Sequence, residues 1–148
     1  MKAHTLRCEA MKNPLGISIL HPRLSWNLEA EERGAAQQGY RIQIWENKPG
    51  INDKEVLYDS GLIRSGDMSF VLQEEIIQSR KNYGWRVLTE DQNGQITESD
   101  EDAWFETGIL KPEEWIAKWI EPDQKPAYLY RITSLMTADN DSVDEKTL

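Results

Sequence analysis

Tyr83-Gly84-Trp85-Arg86-Val87 is the stretch of sequence that decides the fold. Its three large apolar side chains, Tyr83, Trp85 and Val87, stand at every second position, with a glycine and an arginine between them. A period of two is typical of a β-strand that buries one face, whereas a helix repeats its apolar residues every three or four positions. We therefore predict a strand here, with its apolar face toward a core.

The residues on either side of this strand indicate that it follows a corner of the chain. Ile77 lies six residues upstream of Tyr83, and the turn Asp91-Gln92-Asn93-Gly94 comes soon after the strand. A tyrosine that opens a strand after such a corner can hydrogen-bond upstream backbone through its hydroxyl while its ring packs inward. This arrangement resembles the penultimate strand of a fibronectin type III domain, and it favours a β-sandwich module over an enzyme core.

Six other short segments alternate in the same way and are separated by turn residues. They are residues 6–10, 24–29, 40–44, 56–58, 69–72 and 103–107. Seven short strands with turns between them are the pattern expected of two packed antiparallel sheets. We therefore predict an all-β fold, an immunoglobulin-like or fibronectin type III β-sandwich of about seven strands. Trp26, Tyr40, Tyr83 and Trp85 are the expected centre of its core.

The sequence changes character after Gly108. We predict that the sandwich occupies residues 1–110, and that residues 111–135 form a linker and the start of a following β-domain. Pro112 and the acidic residues after it indicate a short helical segment in that linker. A lone strand at residues 127–135, beyond this segment, would expose an unpaired edge, which favours pairing with a second copy in a homodimer. Residues 136–148 have the composition of a disordered tail.

The charge balance argues against two classes of partner. The chain of 148 residues has 26 acidic and 17 basic residues, a formal net charge of −9. With no basic excess to displace counterions from phosphates, we expect no nucleic acid and no membrane surface among its partners. Residues 1–10 lack the apolar core of a signal peptide, and no apolar run reaches the roughly 18 residues of a membrane helix. We expect a soluble, cytoplasmic protein.

Residues with reactive or metal-binding side chains occur singly. Cys8 is the only cysteine, so an intrachain disulfide and a thiolate metal cluster are excluded. Its place on an apolar strand face predicts an inert core thiol. His4 and His21 have no second ligand at metal-binding spacing. We therefore expect neither a metal nor another cofactor.

Seven stretches, together with Trp45, carry a resemblance to a known family. The stretches are Asn13-Pro14-Leu15-Gly16-Ile17, Pro22-Arg23-Leu24-Ser25-Trp26, Gln38-Gly39-Tyr40-Arg41-Ile42, Tyr58-Asp59-Ser60-Gly61, Tyr83-Gly84-Trp85-Arg86-Val87, Phe105-Glu106-Thr107-Gly108 and Trp115-Ile116-Ala117-Lys118-Trp119-Ile120. In this order and at this spacing, they resemble the N-terminal region of bacterial α-L-rhamnosidases.

The resemblance implies a fibronectin-like module that precedes further β-sandwich domains and a six-fold α/α barrel. In that family, glutamates of the barrel carry out an inverting hydrolysis of terminal rhamnose, and the barrel has no counterpart in these 148 residues. We therefore interpret the chain as a non-catalytic accessory module of an α-L-rhamnosidase. Its partners would be the other domains of the parent enzyme, which it would position or stabilise.

Three acidic clusters are the candidates for catalytic carboxylates. They are Glu74-Glu75, Asp100-Glu101-Asp102 and Glu113-Glu114. An inverting glycosidase needs two carboxyl groups about 6.5–9.5 Å apart across a sugar-sized cleft. Each cluster lies in a polar loop or at a helix start, where charges are solvated and lack the burial that shifts a pKa. We therefore predict no catalytic residue and no enzymatic activity for this chain.

Four tryptophans are the candidate contact residues. Trp45 and Trp104 occupy the outward phase of their strands, and Trp115 and Trp119 form an apolar stripe after the sandwich. Exposed aromatic rings can stack on sugars, so the alternative interpretation is a stand-alone carbohydrate-binding or protein-binding module. Large exposed apolar patches usually mark an interface, however. We therefore favour contact with a neighbouring domain over contact with a glycan.

Overall fold

Two antiparallel β-sheets form the fold in the computed structural model, which describes residues 1–120 of the chain. The strands are β1 (Lys2–Cys8), β2 (Arg23–Glu29), β3 (Gln37–Glu46), β4 (Val56–Asp59), β5 (Ser69–Val71), β6 (Asn82–Asp91), β7 (Ile96–Glu98) and β8 (Ala103–Glu106). One sheet has the order β1-β2-β5, and the other has the order β4-β3-β6-β7, with β8 also paired to β6. The only helical element within these residues is a 3₁₀ turn, Pro112–Glu114. The predicted all-β sandwich is confirmed.

β3 and β6 form the centre of the five-stranded sheet and are the longest strands, with ten residues each. Ile42 lies opposite Val87 and Ile44 lies opposite Trp85, and all four side chains are fully buried. Successive side chains of a strand point to opposite faces, so the residues between them lie on the outer face of the sheet. This is the alternation that the sequence predicted for β6.

The four aromatic residues predicted for the core are all buried. Trp26, Tyr40, Tyr83 and Trp85 are at most 5% exposed. The rings of Trp26 and Tyr40 meet edge to face, with centres 4.9 Å apart, and Trp26 Nε1 donates a hydrogen bond to Gln37 Oε1 at 3.1 Å. Burying a side chain of this size contributes about 1.5–3 kcal/mol, against about 0–1 kcal/mol for an exposed ion pair. The aromatic cluster therefore dominates the stability of the sandwich.

The predicted corner before β6 is confirmed. Tyr83 Oη accepts a hydrogen bond from the backbone N–H of Gln78 at 2.9 Å. The tyrosine ring is 1% exposed, and its centre lies 5.5 Å from the ring of Phe105. Thr107 Oγ1 donates a hydrogen bond to the carbonyl oxygen of the same Gln78 at 2.6 Å. The corner is therefore held both by the strand that follows it and by the residue that follows β8.

The first strand differs from the prediction in extent and in regularity. β1 covers residues 2–8, whereas the sequence predicted residues 6–10. Thr5 has a φ of +52°, and the pairing of β1 with β2 shifts register around it. A bulge adds one residue to a strand, so Ala3 and Leu6 both face the core although three positions separate them. A strict period of two could not reveal this.

β7 is a strand that the sequence analysis did not predict. It pairs with the end of β6 after a tight turn, in which Gly94 has a φ of +80° and Asp91 Oδ1 accepts a hydrogen bond from the N–H of Asn93 at 2.8 Å. The turn itself was predicted. The strand has only three residues, none of them fully buried, so it carries too few apolar positions for a period to be recognised.

Residues Met1–Trp115 form one compact unit. Residues 111–115, which the sequence analysis assigned to a linker, belong to this unit. The predicted strand near residues 127–135, the homodimer that it would form and the tail at 136–148 lie outside the described residues and stay predictions. Within residues 1–120, no helix has the length and apolar character needed to span a bilayer.

Candidate functional site

Trp45 lies on the outer face of the five-stranded sheet but is buried there, with only 2% of its surface exposed. Its indole covers Gly84 on the neighbouring strand β6, and a Cβ atom at Gly84 would lie 2.3 Å from Trp45 Nε1. Lys54 Nζ and Arg86 Cζ lie 5.1 and 5.2 Å from the ring centre. Trp45 Nε1 also donates a hydrogen bond to Asn47 Oδ1 at 2.9 Å.

The prediction that Trp45 presents an exposed ring is therefore wrong, although its outward phase is right. Gly84 has no side chain, so the indole can lie against the backbone of β6, and two cationic side chains cover it. An aromatic ring that covers a cross-strand glycine stabilises the pairing of the two strands. The sequence contained a signal for this, since a glycine in the middle of a strand needs a reason.

The other three candidate tryptophans differ in exposure and in place. Trp104 is half-buried on β8, which pairs with β6 on the side opposite to β3, and it lies beside Gly84 in the register. The backbone N–H of Trp104 donates a hydrogen bond to Asn13 Oδ1 at 3.0 Å. Trp115, directly after the 3₁₀ turn, is 64% exposed, and Trp119 is fully exposed. The four rings do not form one stacking surface, since Trp45 is covered. Whether the three others contact a domain or a glycan stays a prediction.

The predicted carboxylates of residues 100–102 lie on the surface and pair with cations. Asp100 pairs with Lys2, and Glu101 pairs with Lys12 at 3.1 Å. Asp102 pairs with Lys54 and lies 3.5 Å from Arg86 Nε. Surface pairs of this kind are worth about 0–1 kcal/mol each and do not hold a carboxyl group in its neutral form.

The other two acidic clusters are also accessible to solvent. Glu74, Glu75 and Glu113 are exposed, and Glu114 accepts a hydrogen bond from Ser79 Oγ. Burial of the Tyr58 ring, together with the negative charge of Glu74, raises the pKa of Tyr58 to about 12. Glu74 therefore acts on Tyr58 as a neighbouring negative charge.

Glu90 is the one buried carboxylate within residues 1–120, and the sequence analysis did not single it out. It is 7% exposed and pairs with Arg64. It also lies close to Gly39, where an added Cβ atom would come within 3.1 Å of Glu90 Oε2. A single carboxylate paired with an arginine lacks the second carboxyl group that glycoside hydrolysis needs.

A surface depression with a volume of about 590 Å³ lies near the β2–β3 loop and the β6–β7 turn. Its walls include Glu29, Glu31, Glu32, Asp91 and Asp100. No aromatic side chain lines it, so it offers no ring on which a sugar could stack. None of the four candidate tryptophans belongs to it.

The single cysteine is buried, and both histidines have a hydrogen-bond partner, which for His4 is Thr5 Oγ1 at 2.8 Å from Nδ1. Cys8 is 1% exposed, and burial, together with the charge of Glu9, raises the pKa of its thiol to about 12. A thiol with so high a pKa stays protonated and is a poor nucleophile. His21 Nδ1 lies 3.0 Å from the carbonyl oxygen of Leu72. Within the described part of the chain, no three histidine, cysteine or acidic side chains are grouped as metal ligands.

Several of the stretches that carry the resemblance hold strands together. Asp59 makes a two-pronged ion pair with Arg41, with Nε to Oδ1 at 2.6 Å and Nη2 to Oδ2 at 2.5 Å. It also accepts a hydrogen bond from the N–H of Gly61 at 2.9 Å. These contacts hold the pKa of Asp59 well below its ordinary value. Ser60 Oγ accepts a hydrogen bond from the N–H of Ile42 at 2.8 Å, so this stretch fastens β4 to β3.

Comparison with known proteins gives the same fold and a family. The chain is 33% identical over 128 residues to an α-L-rhamnosidase of Streptomyces avermitilis. This match covers 86% of the chain and 12% of that enzyme. The structure of an α-L-rhamnosidase from Dictyoglumus thermophilum superposes with a TM-score of 0.72 at 28% identity, over 86% of this chain and 16% of that one.

A human fibronectin type III domain, the third of the KIAA0343 protein, superposes with a TM-score of 0.51 at 16% identity, over 80% of this chain and 88% of that one. At this level of identity the likeness concerns the fold alone.

The chain spans only about an eighth of the length of the Streptomyces avermitilis enzyme, and it corresponds to a small part of that large protein. The model of a family described as the Rha78A-like, N-terminal immunoglobulin domain matches residues 3–111, so the chain belongs to that family.

Proposed function

We propose that this chain is a non-catalytic accessory module at the N-terminal side of an α-L-rhamnosidase, where it supports the domains that follow it. The observation that carries the proposal is the family match over residues 3–111, combined with the small share of the rhamnosidases that the chain covers. Its partners are the other domains of the same polypeptide.

The placement of the acidic residues supports the non-catalytic part of the proposal. The candidate carboxylates are exposed or paired with surface cations, except for Glu114, which is half-buried and hydrogen-bonded to Ser79. Glu90 is buried alone with an arginine. A general acid for glycoside hydrolysis needs a carboxyl group whose pKa is raised by burial, with a second carboxylate across a cleft. No such pair lies within residues 1–120.

The test of this part is an activity assay on the purified chain. We expect no hydrolysis of an aryl α-L-rhamnoside above a buffer control. Glu74→Gln, Glu75→Gln and Asp102→Asn are the matched variants, since each removes one charge and keeps the shape of the side chain. Turnover that survives a second purification and disappears in one of these variants would overturn the proposal.

The alternative is a stand-alone carbohydrate-binding or protein-binding module. The exposed ring of Trp115 and the half-buried ring of Trp104 favour keeping it. Titration with L-rhamnose, followed by the backbone amide shifts of the two residues, separates the readings. We expect no saturable shift, whereas saturable shifts at Trp104 or Trp115 that a Trp→Ala change removes would support the binding module.

A cytoplasmic location also stays a proposal, and fractionation of cells that express the parent protein tests it.

A further inference from the structure

The segment that leaves the sandwich is fastened to the corner that precedes β6. We use the name exit segment for residues 108–115 and corner loop for residues 77–81. The N–H of Leu110 donates a hydrogen bond to Ser79 Oγ at 2.9 Å, and Ser79 Oγ donates in turn to a carboxylate oxygen of Glu114. Ser79 therefore connects Leu110, which precedes the 3₁₀ turn, with Glu114, the last residue of the turn.

Arg80 provides two more contacts to the same segment. Its N–H donates a hydrogen bond to the carbonyl oxygen of Gly108 at 3.0 Å, and its Nη2 donates to the carbonyl oxygen of Glu114 at 3.2 Å. Arg80 has a φ of +59°, which a residue with a side chain rarely adopts. Such a conformation persists only where the surrounding contacts over-determine it, and it costs about 1–3 kcal/mol. The contacts of Arg80 with the exit segment therefore have to offset the cost of this backbone conformation.

The corner loop is itself held from the core side. Tyr83 Oη accepts a hydrogen bond from the N–H of Gln78, Thr107 Oγ1 donates to the carbonyl oxygen of Gln78, and Ile77 is 5% exposed. The core thus fixes the loop, and the loop fixes the exit segment. Leu110 packs partly buried against the core, and the N–H of Gly108 donates a hydrogen bond to the carbonyl oxygen of Ile17 at 2.8 Å, so the sandwich itself holds the start of the exit segment. Residues 111–113 are exposed, so the part of the exit segment after Leu110 depends on Ser79 and Arg80 for its position.

We propose that the corner loop is a holding site for the exit segment, so that the chain leaves the sandwich from a fixed point at Trp115 and not through a flexible linker. Ser79 and Arg80 are the positioning residues, and the polypeptide that follows is what they position. This inference rests on the proposed function only in taking the following polypeptide to be further domains of the parent enzyme.

The test is backbone ¹⁵N relaxation on the complete 148-residue chain. In the parent, the amides of residues 109–115 should show order parameters near the roughly 0.85 of rigid backbone, as in β3 and β6. Ser79→Ala should lower them below about 0.6 at residues 111–115, because both bonds of the bridge are lost. The amide shifts of residues 83–87 should stay unchanged, which shows that the core remains folded.

Two matched controls separate the bridge from a general effect of substitution. Ser99→Ala removes a hydroxyl that donates only to the carbonyl oxygen of Glu101 in an exposed turn, and it should leave the exit segment rigid. Glu114→Ala should loosen the segment, whereas Glu113→Ala should not, since Glu113 is exposed. Order parameters below about 0.6 already in the parent, or an unchanged exit segment in Ser79→Ala, would overturn the proposal. Neither result bears on rhamnoside hydrolysis, so the proposal and the proposed function fail independently.

Discussion

Gly84→Ala tests the packing of Trp45 more directly than any change to the tryptophan itself. A Cβ atom at this position would lie 2.3 Å from Nε1, 2.4 Å from Cε2 and 2.7 Å from Cζ2 of Trp45. Carbon atoms in contact are normally about 3.5–4.0 Å apart, so the indole has to move away by about 1 Å or more. Gly84 lies in the middle of the sheet, between β3 and β8, and β6 cannot shift without disturbing both.

The size of the effect follows from what the indole loses. Forcing an extra methyl group into a packed site costs about 1–3 kcal/mol. Displacing the ring also weakens its hydrogen bond to Asn47 and its contacts with Lys54 and Arg86, at about 0.5–1 kcal/mol each. Replacing a strand glycine by alanine returns about 0.5–1 kcal/mol of backbone entropy. The free energy of unfolding should therefore fall by about 2–5 kcal/mol.

Urea denaturation of the parent and of Gly84→Ala measures this difference. Gly66→Ala is the matched control, because its new Cβ atom would meet only the carbonyl oxygen of Gln37 at 3.6 Å. That control should stay within about 0.5 kcal/mol of the parent. In a Trp45→Val background the Gly84→Ala change should lose most of its cost, since no ring is left to displace. An unfolding free energy of Gly84→Ala equal to that of the parent, or an equal cost with and without Trp45, would refute the reasoning.

Two further predictions concern contacts that the structure places at strand ends. Tyr83→Phe keeps the ring and removes the acceptor for the Gln78 N–H, so it should lower the free energy of unfolding by about 1 kcal/mol in a urea melt, and an unchanged midpoint would contradict this. Asp59 has a folded-state pKa well below its ordinary value of 3.8, so the stability that it adds is fully present above pH 3.8 and is lost as the pH falls below this value through the folded-state pKa. The melting temperature of Asp59→Asn should consequently fall less steeply than that of the parent when the pH is lowered from about 5 to 2, and parallel curves would contradict the role of the Arg41–Asp59 pair.

The features that could be predicted from the sequence are those with a strong local signal. The period of two in β6 and the spacing of the corner depend on residues close together in the chain, and Tyr83 and Gln78 meet as expected. The aromatic core also followed from the sequence, because large apolar side chains on the inward phase of several strands pack together between the two sheets.

The features that could not be predicted depend on pairs of residues far apart in the chain. The burial of Trp45 requires knowing that Gly84 lies beside it, thirty-nine positions later, and that Arg86 covers the ring. The bulge in β1 depends on the register of its pairing with β2. Alternation assigns a side chain to the outward phase, but it does not say whether an outward side chain is covered, and this is where the prediction for Trp45 went wrong.

The contacts made by the resembling stretches bear on what the resemblance can mean. Asp59 fastens β4 to β3, Tyr83 and Thr107 hold the corner loop, and Gly84 makes room for Trp45. Each of these residues satisfies the geometry of the sandwich, and none of them presents a reactive group in a cleft. A likeness carried by such residues therefore identifies a scaffold, since these contacts hold the sandwich together and involve no substrate. The proposed role of this scaffold is to position a neighbouring domain, and the corner loop, which holds both the end of the last strand and the exit segment, is the place from which it would do so.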